Sequence, residues 1–175
     1  MVGNALVSDS DVLRRRKILA RVMAGRAFMI KTSPAAEYLR QLKSWLTTGA
    51  HGAIIHGRPR LGKTLATRWV LRSLRTVIGF VPSIEIPIRE QRIASEREFF
   101  QHVLRCARHR LYDIGTAGDR RDRLTEWLVT RAIRSPVNAA ILFIDEAHLL
   151  SEMHYRWLLN IDNELDMHGC RLFCL

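Results

Sequence analysis

Apolar residues recur at helical spacing near the start of the chain. Val12, Ile18, Leu19, Val22 and Met23 share one side of residues 11–24 and the arginines take another, which predicts a basic amphipathic helix ending at Gly25. Ser33-Pro34 marks a second start, with serine as N-cap and proline in the first turn. Tyr38, Leu39, Leu42, Trp45 and Leu46 then follow on one face, and Gly49 lies past the end. "GAIIHG" at 52–57 is a short apolar run that predicts a strand. The next helical pattern carries Leu65, Trp69, Val70, Leu74 and Val77 and stops near Gly79. "FVPSIEIPI" at 80–88 predicts a strand whose prolines, Pro82 and Pro87, push its ends to bulges or to a sheet edge.

Ser95 and Glu98 have the spacing of a capping box for a helix reaching about Leu111. "YDIGTAGD" predicts a loop, and residues 120–134 a helix closed by Ser135-Pro136. "AAILFID" at 139–145 has no polar residue before its last position, the mark of a strand covered on both faces. Ser151 caps a further helix running to about His168, with Gly169 beyond it, and "CRLFCL" at 170–175 begins a fourth strand. Strands alternating with helices predict an α/β fold, a parallel sheet between two helix layers. Residues 1–32 read as a basic helical extension and residues 33–175 as the core domain.

Charge changes this picture. The net charge is +11, and 24 of the 28 basic residues are arginine, whose fork matches phosphate oxygens in pairs. "LRRRK" at 13–17 and the arginines from 58 to 110 carry much of it, whereas 145–166 holds six acidic residues and only Arg156. A basic body with an acidic edge suits a polyanion or head-to-tail self-association, and it also suits a plain solvated surface. Three cysteines, Cys106, Cys170 and Cys174, form no C-x-x-C pair and read as reduced thiols. No signal pattern or membrane-length apolar run is seen, so a cytoplasmic protein without membrane contact is expected.

Between the first apolar run and the helix after it stands "GRPRLGKT", which fits G-x-x-x-x-G-K-[ST]. Gly57 and Gly62 let the backbone turn its N–H groups onto phosphates, with Arg58, Pro59, Arg60 and Leu61 between them and Leu65 just beyond. The helix opening at Lys63 points its positive end at the same anion. Lys63 is expected to reach the β- and γ-phosphates of ATP, and the Thr64 hydroxyl to ligate Mg²⁺. Eighty-one residues past Thr64, "ILFIDE" ends an apolar run in two carboxylates. Asp145 is expected on the Mg²⁺ side and Glu146 as the base that polarises an attacking water.

This pair resembles the Walker A and Walker B motifs of P-loop ATPases, with Glu146 and Lys63 as the catalytic residues. Residues 145–148 also spell the DEAH motif of a helicase family, but such helicases carry a second motor domain for which 175 residues leave no room. A finer resemblance is to the AAA+ ATPases of mobile elements, the TniB/TnsC-type transposition regulators. It rests on "FMIKTSPAAEYLRQLKSWL", "SEREFFQHVLRCA" and "AAILFIDEAHLLSEMHYRWLLNIDNELDMHGCRLFCL". The resemblance implies a three-layer P-loop domain that assembles with ATP into a ring or filament on double-stranded DNA. It implies backbone contacts without base reading, and bridging of a target-selection protein to a transposase. In that family an arginine finger, a polar sensor and a helical lid follow the fourth strand. Those positions lie past Leu175, so the lid is expected to be absent and the core incomplete at its C-terminal end. The alternatives are a helicase-loader-like ATPase, or a non-hydrolysing adaptor switched by nucleotide.

Other candidates divide between function and packing. His102, Cys106 and His109 fall at i, i+4 and i+7, spacing that suits a metal or simply half-buried residues. Trp127 and Trp157 read as core. "LRRRK" reads as a DNA-contacting arm or as the wet face of the first helix. By resemblance, Phe28, Met29 and Ile30 stand where related ATPases place part of the adenine pocket.

Overall fold

The computed structural model describes residues 32–90 and 93–175, with Leu13, Arg14, Arg16 and Lys17 near the start. The chain divides into two units, 1–32 and 33–175. In the first, Leu13, Arg14, Arg16 and Lys17 are helical and exposed, and Thr32 is exposed outside any helix. The rest of the helix expected at 11–24, and Phe28 to Ile30, lie outside the described residues.

In the second unit, α1 (Ser33–Thr48) buries Leu42 and Leu46 and ends where Gly49 turns to φ 89°. The guanidinium of Arg171 donates to the carbonyls of Leu46 (3.0 Å), Ala50 (3.4 Å) and Val137 (3.3 Å). It thus places a cation at the negative end of α1. Then come α2 (Lys63–Val77), β1 (Ser83–Pro87), α3 (Glu96–Cys106), α4 (Ala117–Ala132) and β2 (Ala139–Asp145). A 3-10 turn at Ala147–Leu149, α5 (Glu152–Met167) and β3 (Arg171–Cys174) follow. The strands are parallel in the order β1-β2-β3, with Ile84 opposite Leu142, Pro87 opposite Asp145 and Ala140 opposite Leu172.

The alternation of side chains along β2 divides the core. Ala139 and Ile141 join Phe173 beneath Leu42 and Leu46 of α1 and Val70 and Leu74 of α2. Ala140, Leu142 and Ile144 face the other way, against Phe100, Leu104, Leu128, Trp157 and Ile161 from α3, α4 and α5. This is the three-layer α/β/α arrangement expected, and β2 is buried through Ile144 because both of its faces are covered. Trp157 belongs to this core, while Trp127 lies at its margin with the Arg131 guanidinium 3.9 Å over its ring. As its prolines require, β1 is an edge strand. Pro82 lacks an N–H, but its carbonyl accepts from Ile141 (2.8 Å).

Several boundaries differ from the sequence expectation. Residues 53–57 form no strand; Gly52 makes one parallel bridge to Cys174, through Cys174 N–H to His51 O (3.0 Å) and Ala53 N–H to Cys174 O (2.9 Å). Beyond that bridge, no residue from Ile54 to Gly57 pairs with another strand among the described residues. Ile54 is accordingly 88% exposed. Among the described residues the sheet therefore has three strands and a bridge where four strands were expected.

The third helix stops at Cys106 and not near Leu111. Arg108 adopts the left-handed conformation (φ 56°), and the His109 N–H turns back to Leu104 O (2.9 Å), closing the helix with a Schellman-type cap. Its start has half a capping box: Ser95 Oγ accepts from Glu98 N–H (3.4 Å), and no return bond from the Glu98 side chain is made. α4 begins three residues early, because Thr116 and Asp119 form a full capping box that the glycines around it concealed.

Candidate nucleotide site

Residues 56–62 are all exposed and arch over the start of α2. Three of them hold positive φ: Gly57 at 157°, Arg60 at 63° and Gly62 at 79°. Arginine at such a φ is strained and persists because the loop geometry demands it. Gly62 is the N-cap of α2 and offers no side chain to its free N–H groups. A Cβ placed on Gly62 would meet nothing within 4 Å, so the space over the helix start is open to an anion.

The Lys63 ammonium donates to the carbonyls of Gly57 (2.9 Å) and Arg58 (3.0 Å), which leaves one of its three N–H groups for another acceptor. Arg58 and Arg60 have no acidic partner among the described residues. Leu65 is on the exposed side of α2.

The two motifs meet. Thr64 Oγ1 lies 3.2 Å from both carboxylate oxygens of Asp145 and donates to them. Asp145 is placed by β2, the most completely buried strand, and Thr64 by the first turn of α2. A hydroxyl and a carboxylate that converge in this way are hard oxygen donors of the kind Mg²⁺ prefers. One turn behind, Thr67 donates to Lys63 O (3.1 Å) and accepts from the Tyr38 hydroxyl of α1 (3.2 Å). Burial pushes the Tyr38 phenol up, so it remains a neutral donor that ties α1 to the site.

A match to an AAA domain model spans residues 46–173, well over half of the sequence. The chain belongs to the AAA-domain family. Membership brings nucleotide binding and ATPase chemistry as the general property of AAA domains. No curated protein matches the chain.

Glu146 follows β2 directly in the AAA domain. It does not continue the pleat but takes φ 61° and ψ 42°, which ends the strand and opens the 3-10 turn holding His148. Its carboxylate is exposed, 3.4 Å from His148 Nδ1. Adjacency in sequence to Asp145 does not reveal this turn.

Sequence reasoning also missed an ion pair beside the site. Arg68, one helical turn after Thr64, forks onto Glu85 of β1 with bonds of 2.9, 3.0 and 2.5 Å. Glu85 is the one carboxylate in the apolar stretch "SIEIP", and alternation from Ile84 and Ile86 puts it on the α2 face. That alternation was the signal available in the sequence.

The remaining candidates lie elsewhere. His102 Nε2 donates to Pro87 O (2.9 Å) and Cys106 Sγ is 3.8 Å from the same nitrogen, but His109 has left the helix and accepts from Leu111 N–H (3.2 Å). Among the described residues no group of three or more His, Cys, Asp or Glu could hold a metal. Among them, too, no helix is long and apolar enough to cross a membrane.

A groove of about 540 Å³ runs between the end of β1, α3 and the start of α5. Arg89, Gln101, His102 and Arg105 are on its walls together with Glu98. Beneath it, Arg120 is fully buried and its guanidinium donates to Arg97 O (3.2 Å), Gln101 Oε1 (3.1 Å) and Asp113 O, with no carboxylate partner. Because Gln101 accepts from Arg120 through its oxygen, its NH₂ donors remain for the groove.

Proposed function

We propose that this AAA domain binds ATP with Mg²⁺ and uses it to govern assembly on double-stranded DNA, as a regulator of transposition. The observation that carries the nucleotide reading is the closure of Thr64 on Asp145 across 81 residues of sequence. In this reading the backbone from Gly57 to Thr64 cradles the phosphates, with Arg58, Pro59, Arg60 and Leu61 as the loop's outer rim and Leu65 beside it. Lys63 directs its ammonium to the β- and γ-phosphates. Thr64 and Asp145 hold Mg²⁺, which supplies charge neutralisation on the phosphate oxygens. Glu146, whose carboxylate is exposed beside His148, accepts the proton of the attacking water.

DNA enters through the charge. The arginine excess and the groove walled by Arg89 and Arg105, over the uncompensated guanidinium of Arg120, favour a phosphodiester backbone. The sequence carries no base-reading motif, so contact through the phosphate backbone without sequence preference is expected. Transposition, and the bridging of a target selector to a transposase within a ring or filament, rests on the resemblance of residues 26–175 to TniB/TnsC-type regulators.

Fluorescence anisotropy of a 30-bp duplex, titrated with and without ATP·Mg²⁺ at several salt concentrations, tests this. Binding that strengthens with ATP and falls steeply with salt is expected. Binding that ignores nucleotide, or no binding at low salt, refutes the DNA reading and favours a protein-only adaptor.

A further inference from the structure

Two carboxylates face α2 from neighbouring strands. Glu85 of β1 stands opposite Phe143, and Asp145, two residues further along β2, stands opposite Pro87. Thr64 and Arg68 are four residues apart on α2, hence on one side of the helix. Thr64 takes Asp145 and Arg68 takes Glu85. A single guanidinium is therefore bonded to one acid and lies in the field of the other: its charged form is favoured first by the Glu85 bond, against some desolvation, and also by the charge of Asp145.

An arginine so near a metal-binding carboxylate is a hazard for metal binding, since a bidentate Arg–carboxylate pair blocks the oxygens a cation would use. We propose that Glu85 is a positioning residue that holds Arg68 away from Asp145, so that Asp145 stays available to Mg²⁺ and only one negative charge faces it. Glu85 and Arg68 touch neither nucleotide nor metal in this scheme. Their effect is exerted through Asp145. The proposal rests on Thr64 and Asp145 being the Mg²⁺ end of the nucleotide site.

The two single substitutions then act in opposite directions. With Glu85→Gln the freed guanidinium turns to Asp145, and divalent affinity falls. With Arg68→Met the aliphatic stem is kept, Glu85 becomes a second free carboxylate beside Asp145, and divalent affinity rises. Both partners are about one-third to one-half exposed, so solvent screening limits each shift to about two- to fivefold. The double variant returns close to the parent. A pair that merely clamps α2 to β1 behaves differently: either single change loosens Thr64 against Asp145 and lowers affinity.

The test uses Mn²⁺ as probe, its binding to the nucleotide-free chain followed by electron paramagnetic resonance. In parallel, the Mg²⁺ concentration for half-maximal ATP retention is measured, and circular dichroism checks each fold. Opposite shifts of the single variants, cancelled in the double, support the proposal. Shifts of the same sign, no shift in either single variant, or a double variant as impaired as the worse single, overturn the pairing while the nucleotide site stands. If the unmodified chain retains no ATP at any Mg²⁺ concentration, the site reading itself fails and the pairing with it.

Discussion

Replacing Thr64 with valine removes one hydroxyl and changes almost no volume. In the folded chain that hydroxyl donates to both oxygens of Asp145 at 3.2 Å. A hydrogen bond to a charged group contributes roughly 1.5–3 kcal/mol when buried. Thr64 and Asp145 are both partly exposed, and water can replace the lost donor, so about 1 kcal/mol is expected for the fold. For a domain of this size that lowers the melting temperature by about 3 °C.

The loss in binding is larger and conditional. A Mg²⁺ ligand is deleted, so affinity for ATP with Mg²⁺ falls at least tenfold, or about 1.4 kcal/mol. Affinity for ATP with excess chelator stays within about twofold, because the backbone cradle and Lys63 are untouched. Thr64→Ser keeps the hydroxyl and restores the Mg²⁺ dependence. Titration calorimetry of the parent and both variants, with and without Mg²⁺, measures these affinities, and a thermal melt measures the stability. If Thr64→Val bound ATP·Mg²⁺ as the parent does, or Thr64→Ser failed to rescue, the oxygen pair would not be a metal site.

Three further outcomes follow from the geometry. Lys63→Ala removes the ammonium at the loop and is expected to abolish ATP binding by calorimetry with little change in melting temperature, since its two bonds are to exposed loop carbonyls. Glu146→Gln keeps ATP bound but, lacking a base, lowers turnover by about 10²-fold or more in a phosphate-release assay; parental turnover would move the base elsewhere. Burial holds the His154 imidazole below its usual 6.5, against the favourable Ser151 bond. The unfolded chain therefore takes up a proton near pH 6.5 that the folded chain accepts only at lower pH. Stability is constant above that value on this account and falls as pH drops through it, and denaturant melts of His154→Gln should show a weaker loss between pH 7 and 5.

Legibility followed burial. Residues 139–145 form the expected strand to the residue because an uninterrupted apolar run of that length has one use in an α/β fold. α5 was bounded correctly by Ser151 and Gly169, whose signals are local. The P-loop strand was misread because pairing, not propensity, makes a strand, and among the described residues this run pairs only at Gly52. Arg108 hid the end of α3, since no composition rule announces an arginine in the left-handed region. At the site, Thr64 and Asp145 were found by spacing, whereas Arg68 and Glu85 belong to no motif and depend on which strand neighbours which.

The single bridge at Gly52 has a consequence for how binding is distributed in time and heat. Among the described residues, none from Ile54 to Leu61 donates its backbone N–H to another backbone carbonyl, while β2 is hydrogen-bonded on both sides. The amides of that loop are therefore expected among the fastest to exchange with solvent, and those of the strand carrying Asp145 among the slowest. In the proposed reading, ATP meets a stiff wall and a loose cover. Its binding slows hydrogen exchange across residues 54–62 and leaves 139–145 nearly unchanged. Part of the binding enthalpy is spent ordering the cover, so closing over the triphosphate is for this loop a small act of folding.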